Sequence, residues 1–151
     1  MRGSSLRGVT RMSDIPEIFV LDGGVLLALA LGEASAQALV GEMPSEQKQY
    51  ACTELALSEL TYILCRQLDW TSAWEKTQSL LRSAVVRIIR TSMVWGEAAS
   101  IKCQVPISLP DCFTIAAARI LNGRPMFARQ EAEIISAIEK GLLNDRLEFL
   151  E

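Results

Sequence analysis

Glu17-Ile-Phe-Val-Leu-Asp22-Gly-Gly-Val25-Leu-Leu-Ala-Leu-Ala-Leu31 decides the fold. Its first half is apolar on consecutive positions, as a strand covered on both faces must be, and it stops at an acid followed by two glycines that read as a turn. The apolar run from Val25 to Leu31 suits a helix packed back onto that strand. At seven residues it is far too short to span a bilayer, which takes about 20. A buried strand followed by an apolar helix is the opening of an α/β domain.

The rest of the chain repeats the alternation. Ala34–Met43 is a second helical stretch, closed by Pro44, and Gln49–Thr53 a short strand. Leu57, Leu60, Leu64 and Leu68 place one apolar stripe on a helix over 55–68. Thr71–Ala84 is a further helix with Thr71 or Ser72 available as its cap, and Val85–Ile89 is β-branched enough for a strand. Met93–Cys103 returns to helix. Ser108-Leu-Pro-Asp111 opens another, which Asn122-Gly123 terminates. Pro125–Ala128 is a strand, Glu133–Gly141 a helix, and Arg146–Leu150 an edge strand. Strands alternating with helices predict a three-layer α/β/α sandwich around a central, mostly parallel sheet.

Composition narrows the chemistry. The chain has 151 residues, half of them apolar and 22% charged, which suits one packed core and argues against disorder. It contains no histidine, which removes Ser-His-Asp and Cys-His catalysis and the His-rich zinc sites. Cys52, Cys65, Cys103 and Cys112 show no C-x-x-C spacing and read as reduced, buried thiols. Residues 1–11 read as a leader or tag, with Met12 as an alternative start and 12–151 as a single domain. Removing Arg2, Arg7 and Arg11 from the fifteen basic residues leaves twelve against eighteen acids, or −6. Such a surface does not attract nucleic acid unspecifically, but a metal held by clustered carboxylates would change its local sign. No signal-peptide pattern is present, because Asp14, Glu17 and Asp22 interrupt the segment after the basic start.

Four acids fall where a site could form. Asp22 stands at the carboxyl end of the first strand, where ligands gather in parallel sheets. Glu59 lies within an amphipathic helix, Asp111 in the first turn of another, and Glu131 just after an inner strand. Each also has a structural reading: turn former, solvated helix residue, macrodipole partner and surface glutamate respectively. Glu133 competes with Glu131 for the last place. Trp70, Trp74 and Trp95 read as packing or interface residues rather than base-stacking platforms.

Phe19-Val-Leu-Asp22 with Val25-Leu-Leu-Ala-Leu-Ala-Leu-Gly-Glu33 resembles the opening of a PIN domain. Ala56-Leu-Ser-Glu59-Leu-Thr-Tyr-Ile-Leu resembles that family's second-acid helix, and Ile107-Ser-Leu-Pro-Asp111-Cys-Phe-Thr-Ile-Ala-Ala-Ala its third. The resemblance spans about Ile18 to Ile135. It implies a metal-dependent endoribonuclease, with Mg²⁺ or Mn²⁺ held by Asp22, Glu59, Asp111 and Glu131. Arg129 is the candidate phosphate contact. Small members of the family resemble VapC-type toxins, which implies an RNA substrate, a cognate antitoxin, a homodimer and a cytoplasmic setting with no membrane association. Hard divalent cations prefer carboxylate oxygen, so the absence of imidazole is no obstacle. If these acids share an ion, three of them should converge on one point.

Two features depart from the family pattern. Gly23-Gly24 stands where a Thr or Ser often follows the first acid, and Ala128-Arg-Gln-Glu131-Ala-Glu133 replaces a late Asp motif. They leave open a second function, a PIN-like protein-interaction module with weak or lost nuclease activity. A phosphate-accepting receiver is disfavoured, since Asp22 has no adjacent acid and no Lys lies between Lys102 and Lys140. A P-loop NTPase is disfavoured further by the missing G-x-x-x-x-G-K-[ST] run.

Overall fold

The computed structural model describes residues 15–151; the leader expected over 1–11 lies outside them. Five strands form one sheet in the order β3-β2-β1-β4-β5, where β1 is Glu17–Leu21, β2 Lys48–Thr53, β3 Val86–Ile89, β4 Arg124–Phe127 and β5 Glu148–Phe149. Every pairing is parallel. The first strand therefore lies at the centre, as its unbroken apolar character requires, and β5 takes the edge.

Alternation along β1 and β2 sorts the core into two halves. Val20 and Ala51 face one side, with Val94 and Ala98 of α5 (Thr91–Gln104), the buried Cys112–Ala118 stretch of α6 (Leu109–Ile120), and Ile134 of α7 (Ala132–Glu139). Leu21 and Cys52 face the other. There they meet Leu26 of α1 (Gly23–Leu31), Leu39 of α2 (Gln37–Glu42), Leu60 and Leu64 of α3 (Glu54–Gln67), and Ala73 of α4 (Trp70–Arg82). Helices on both faces of a parallel sheet make the three-layer α/β/α sandwich that the alternating pattern predicts.

The helix starts correct the sequence reading in two places. Gly23 and Gly24 do not form a turn between strand and helix; they are the first residues of α1, and Asp22 is its cap, accepting a hydrogen bond from the Val25 amide at 2.8 Å. The cap of α4 is Asp69 rather than Thr71 or Ser72. Its carboxylate accepts from the Ser72 amide and the Ser72 hydroxyl, both at 2.8 Å. The two carboxylate oxygens of Asp69 take one donor each.

Of the four thiols, Cys52 and Cys112 are buried and Cys65 is half-buried, whereas Cys103 is exposed; none is in a disulfide. The end of the chain is tied down by charge. Arg119 donates to both carboxylate oxygens of Asp145, at 2.8 and 2.7 Å, and to Glu97 of α5 at 3.0 Å. Arg124 of β4 bonds Glu148 of β5 at 2.7 Å. No single helix among the described residues is long and apolar enough to cross a membrane.

Candidate active site

Because all strands run in one direction, their carboxyl ends form one rim, and the chain turns from strand to helix along it. Leu21 ends β1 and the next residue is Asp22, whose amide donates to the Met126 carbonyl of β4 at 3.0 Å. That bond extends the β1–β4 ladder by one step and fixes the backbone of the acid. Capping of α1 fixes its side chain. A group held at both ends in this way is only 7% exposed.

The second acid arrives by a similar route. Buried Thr53 ends β2 and caps α3, accepting from the Ala56 amide at 3.1 Å, so the helix leaves the rim with a fixed first turn. Glu59 lies one turn further on, between core residues Ala56 and Leu60 on the same helix. Asp111 sits in the first turn of α6, where the Ser108 hydroxyl accepts its amide hydrogen at 3.3 Å. That is half of a capping box, with an aspartate at the position usually held by Glu or Gln. Asp111 is 8% exposed. Beyond β4, Arg129 and Glu131 occupy the loop into α7, with Glu131 at the cap position of that helix.

Asp22, Glu59, Asp111, Glu131 and Arg129 all line one cavity of about 330 Å³. Residues from four separate stretches of sequence thus line one space at the rim. Both Glu131 and Glu133 are exposed, and of the two only Glu131 lines the cavity. Sequence reading missed Glu33, Ser35 and Ser108, which line it too. Ser108 could have been found as the hydroxyl three residues before Asp111. Glu33 closes the family-like opening motif without any local sign of a site role, and Ser35 carries none either.

Burial and mutual repulsion push these acids in one direction. Burial lifts the Asp22 carboxyl to about 7, against the Val25 hydrogen bond that holds it down; repulsion from Asp111, Glu59 and Glu131 adds to the rise. Asp111 goes up to about 6, chiefly by burial, opposed by Ser108 and reinforced by Glu131, Glu59 and Glu133. Glu59 is raised in the same direction by burial and by Glu131. Among the described residues none of the four acids is ion-paired. Buried carboxylates without an ion-pair partner, as Asp22 and Asp111 are, are costly, and a bound cation is the ordinary remedy.

The donor set suits such a cation: several carboxylate oxygens, no sulfur, no imidazole, and a polar cavity with room for retained waters. The convergence expected from sequence is not found, however. No group of three acids among the described residues stands close enough together to hold a metal ion as it is. Bare carboxylates repel, and a cation would draw them in by removing that repulsion.

Residues 19–140 match the family model of the PIN domain. No curated protein matches the chain. Among solved structures it is similar to VapBC2 from Rickettsia felis bound to a DNA fragment from the promoter, at 17% identity and a TM-score of 0.63, covering 87% of this chain and 98% of that one. A toxin–antitoxin complex from Klebsiella pneumoniae is similar at 16% identity and a TM-score of 0.57, over 76% and 88%. VapBC-1 from nontypeable Haemophilus influenzae follows at 15% and 0.56, over 87% and 96%. At these identities the likeness is one of fold.

Proposed function

The chain belongs to the PIN domain family, and from that premise we propose that it is a Mg²⁺- or Mn²⁺-dependent endoribonuclease, the toxin of a toxin–antitoxin pair. The observation that carries this reading is the rim cavity, where Asp22, Glu59, Asp111 and Glu131, none of them ion-paired, share one space with Glu33 and Glu151, and burial lifts Asp22 to about 7 and Asp111 to about 6. Asp22, Glu59, Asp111 and Glu131 would hold the metal. Bound there, it would supply Lewis-acid polarisation of the scissile phosphate and a hydroxide-like water at neutral pH.

The chain's own residues do the rest. Asp22 and Asp111 are presented by capped helix starts: the Val25 amide holds the Asp22 carboxylate and Ser108 holds the Asp111 backbone, so both acids are directed to the cavity before a cation arrives. Arg129, the cation on the cavity wall, is placed to meet a phosphate oxygen and orient the backbone of the RNA. Toxin function and an antitoxin partner are supported by the fold shared with VapBC and other toxin–antitoxin structures, and a homodimer in a cytoplasmic setting belongs to the same proposal. The incomplete convergence of the acids favours one competitor, an interaction module of the same fold without efficient catalysis.

The test is cleavage of a mixed-sequence RNA in EDTA, Mg²⁺ and Mn²⁺. Metal-dependent products are expected from the wild type, falling by about a hundredfold or more in Asp111→Asn and by about tenfold in Arg129→Ala. Equal cleavage by wild type and Asp111→Asn would mean a contaminating nuclease. No cleavage, together with no stabilisation by millimolar Mn²⁺, would shift the function to the interaction module.

A further inference from the structure

Gly23 presents an oddity that the capping of α1 does not explain. It is buried in the first turn, where a helix gains from almost any residue other than glycine. A β-carbon built on it would run into the Glu59 carboxylate, with Cδ of Glu59 at 2.9 Å and Cγ at 3.1 Å. The acid from α3 therefore lies directly over the glycine of α1. Its flank is taken by Gly24, whose own β-carbon position is 3.0 Å from the Ala128 methyl and 3.5 Å from the Asp22 carboxylate.

We propose that Gly23 is a positioning residue: its missing side chain is the space through which Glu59 reaches the rim cavity, so that the acid from α3 stands beside Asp22 rather than turning out to solvent. The obstructing atoms belong to the end of a flexible side chain, so a residue at 23 expels the carboxylate and leaves the backbone of α1 in place. The glycine pair is thus more than a source of tight geometry and backbone amides. Where a hydroxyl-bearing residue would put one oxygen next to the first acid, Gly23 admits a full carboxylate from another helix. This proposal rests on the metal-site reading in its consequence, though not in its geometry.

The experiment is a set of thermal melts of wild type, Gly23→Ala, Glu59→Ala and the double variant, each in EDTA and in a Mn²⁺ titration. In EDTA, alanine at 23 must displace Glu59 in the wild-type background but meets no obstacle once Glu59 is truncated. Its effect on the melting temperature should therefore be more favourable by about 2 °C or more in the Glu59→Ala background. In Mn²⁺, Gly23→Ala should weaken the apparent affinity by about tenfold, matching Glu59→Ala, and the double variant should be no worse than Glu59→Ala alone.

Wild-type Mn²⁺ affinity in Gly23→Ala would overturn the proposal, as would equal effects of alanine at 23 in both backgrounds in EDTA. A wild type that ignores Mn²⁺ would instead refute the metal-site reading. The EDTA coupling would still decide the role of Gly23.

Discussion

Asp22→Asn is expected to make the metal-free protein more stable at pH 8 while reducing RNA cleavage by about a thousandfold. The stability half follows from titration. The Asp22 carboxyl titrates at about 7 in the folded chain against 3.8 as a free group. Between those values the native state carries more protons than the unfolded state, so native stability falls as pH rises, by up to roughly 1.4 kcal/mol per pH unit. Above pH 7 the whole penalty is present. Asparagine has no such charge, and its amide oxygen can still accept from the Val25 amide and keep α1 capped. The gain should be on the order of 2–4 kcal/mol, a rise in melting temperature of roughly 5–10 °C.

The same substitution also flattens the pH profile. Wild-type melting temperature should fall between about pH 4.5 and 7.5, while the variant should keep only the shallower part that comes from Asp111, raised to about 6, and from Glu59, raised in the same direction. Mn²⁺ should reverse the order by stabilising the wild type through mass action and leaving the variant unmoved. Activity falls because a ligand lost from the metal removes several kcal/mol of transition-state stabilisation. Melts in EDTA across that pH range, with one cleavage assay, check all three points. A variant less stable than wild type at pH 8 would mean that the folded chain already compensates the Asp22 charge.

The legible parts of this molecule are those that local chemistry writes directly. The apolar block of Phe19–Leu21 dictates a central strand, and the Leu57–Leu60–Leu64 stripe dictates a helix packed on it. Asp22, Glu59, Asp111 and Glu131 could be singled out because each sits at an element boundary or on a packed face, and the cavity does gather them. What sequence could not carry was distance. Whether four acids converge depends on how far each helix advances before its acid appears, and here no three stand close enough to hold an ion. Burial was also unreadable for the tryptophans. Trp70 and Trp74 stack on each other at 5.7 Å with roughly half of each exposed, and Trp95 is more exposed still. Nothing in the spacing of a lone aromatic says which way its helix will face.

Gly123 carries the second large structural effect. The pair Asn122-Gly123 follows the end of α6, as the sequence predicts; Asn122 takes the left-handed conformation at φ 53°, and Gly123 serves a second purpose. A β-carbon at 123 would lie 2.5 Å from the Ile18 carbonyl oxygen and 3.1 Å from its carbon. These are backbone atoms of the central strand, paired on through Gln49 of β2, so they cannot swing aside as Glu59 can.

Gly123→Ala should therefore cost about 2–3 kcal/mol, and Gly123→Val more, because relief requires β1 to move against its neighbours. Gly96 provides the contrast. It lies inside α5 with nothing within 4 Å of its β-carbon position, so Gly96→Ala should stabilise by about 0.5–1 kcal/mol through helix propensity alone. The site should register the difference as well. Gly123 leads into β4, whose Met126 carbonyl holds the Asp22 amide, so a strand shift loosens the first acid and weakens Mn²⁺ binding. Denaturant melts of the two alanine variants, each with and without Mn²⁺, separate the cases. Equal stability of both would mean that the β1–β4 contact yields to a methyl group, and that the rim is held by the helix caps rather than by the sheet.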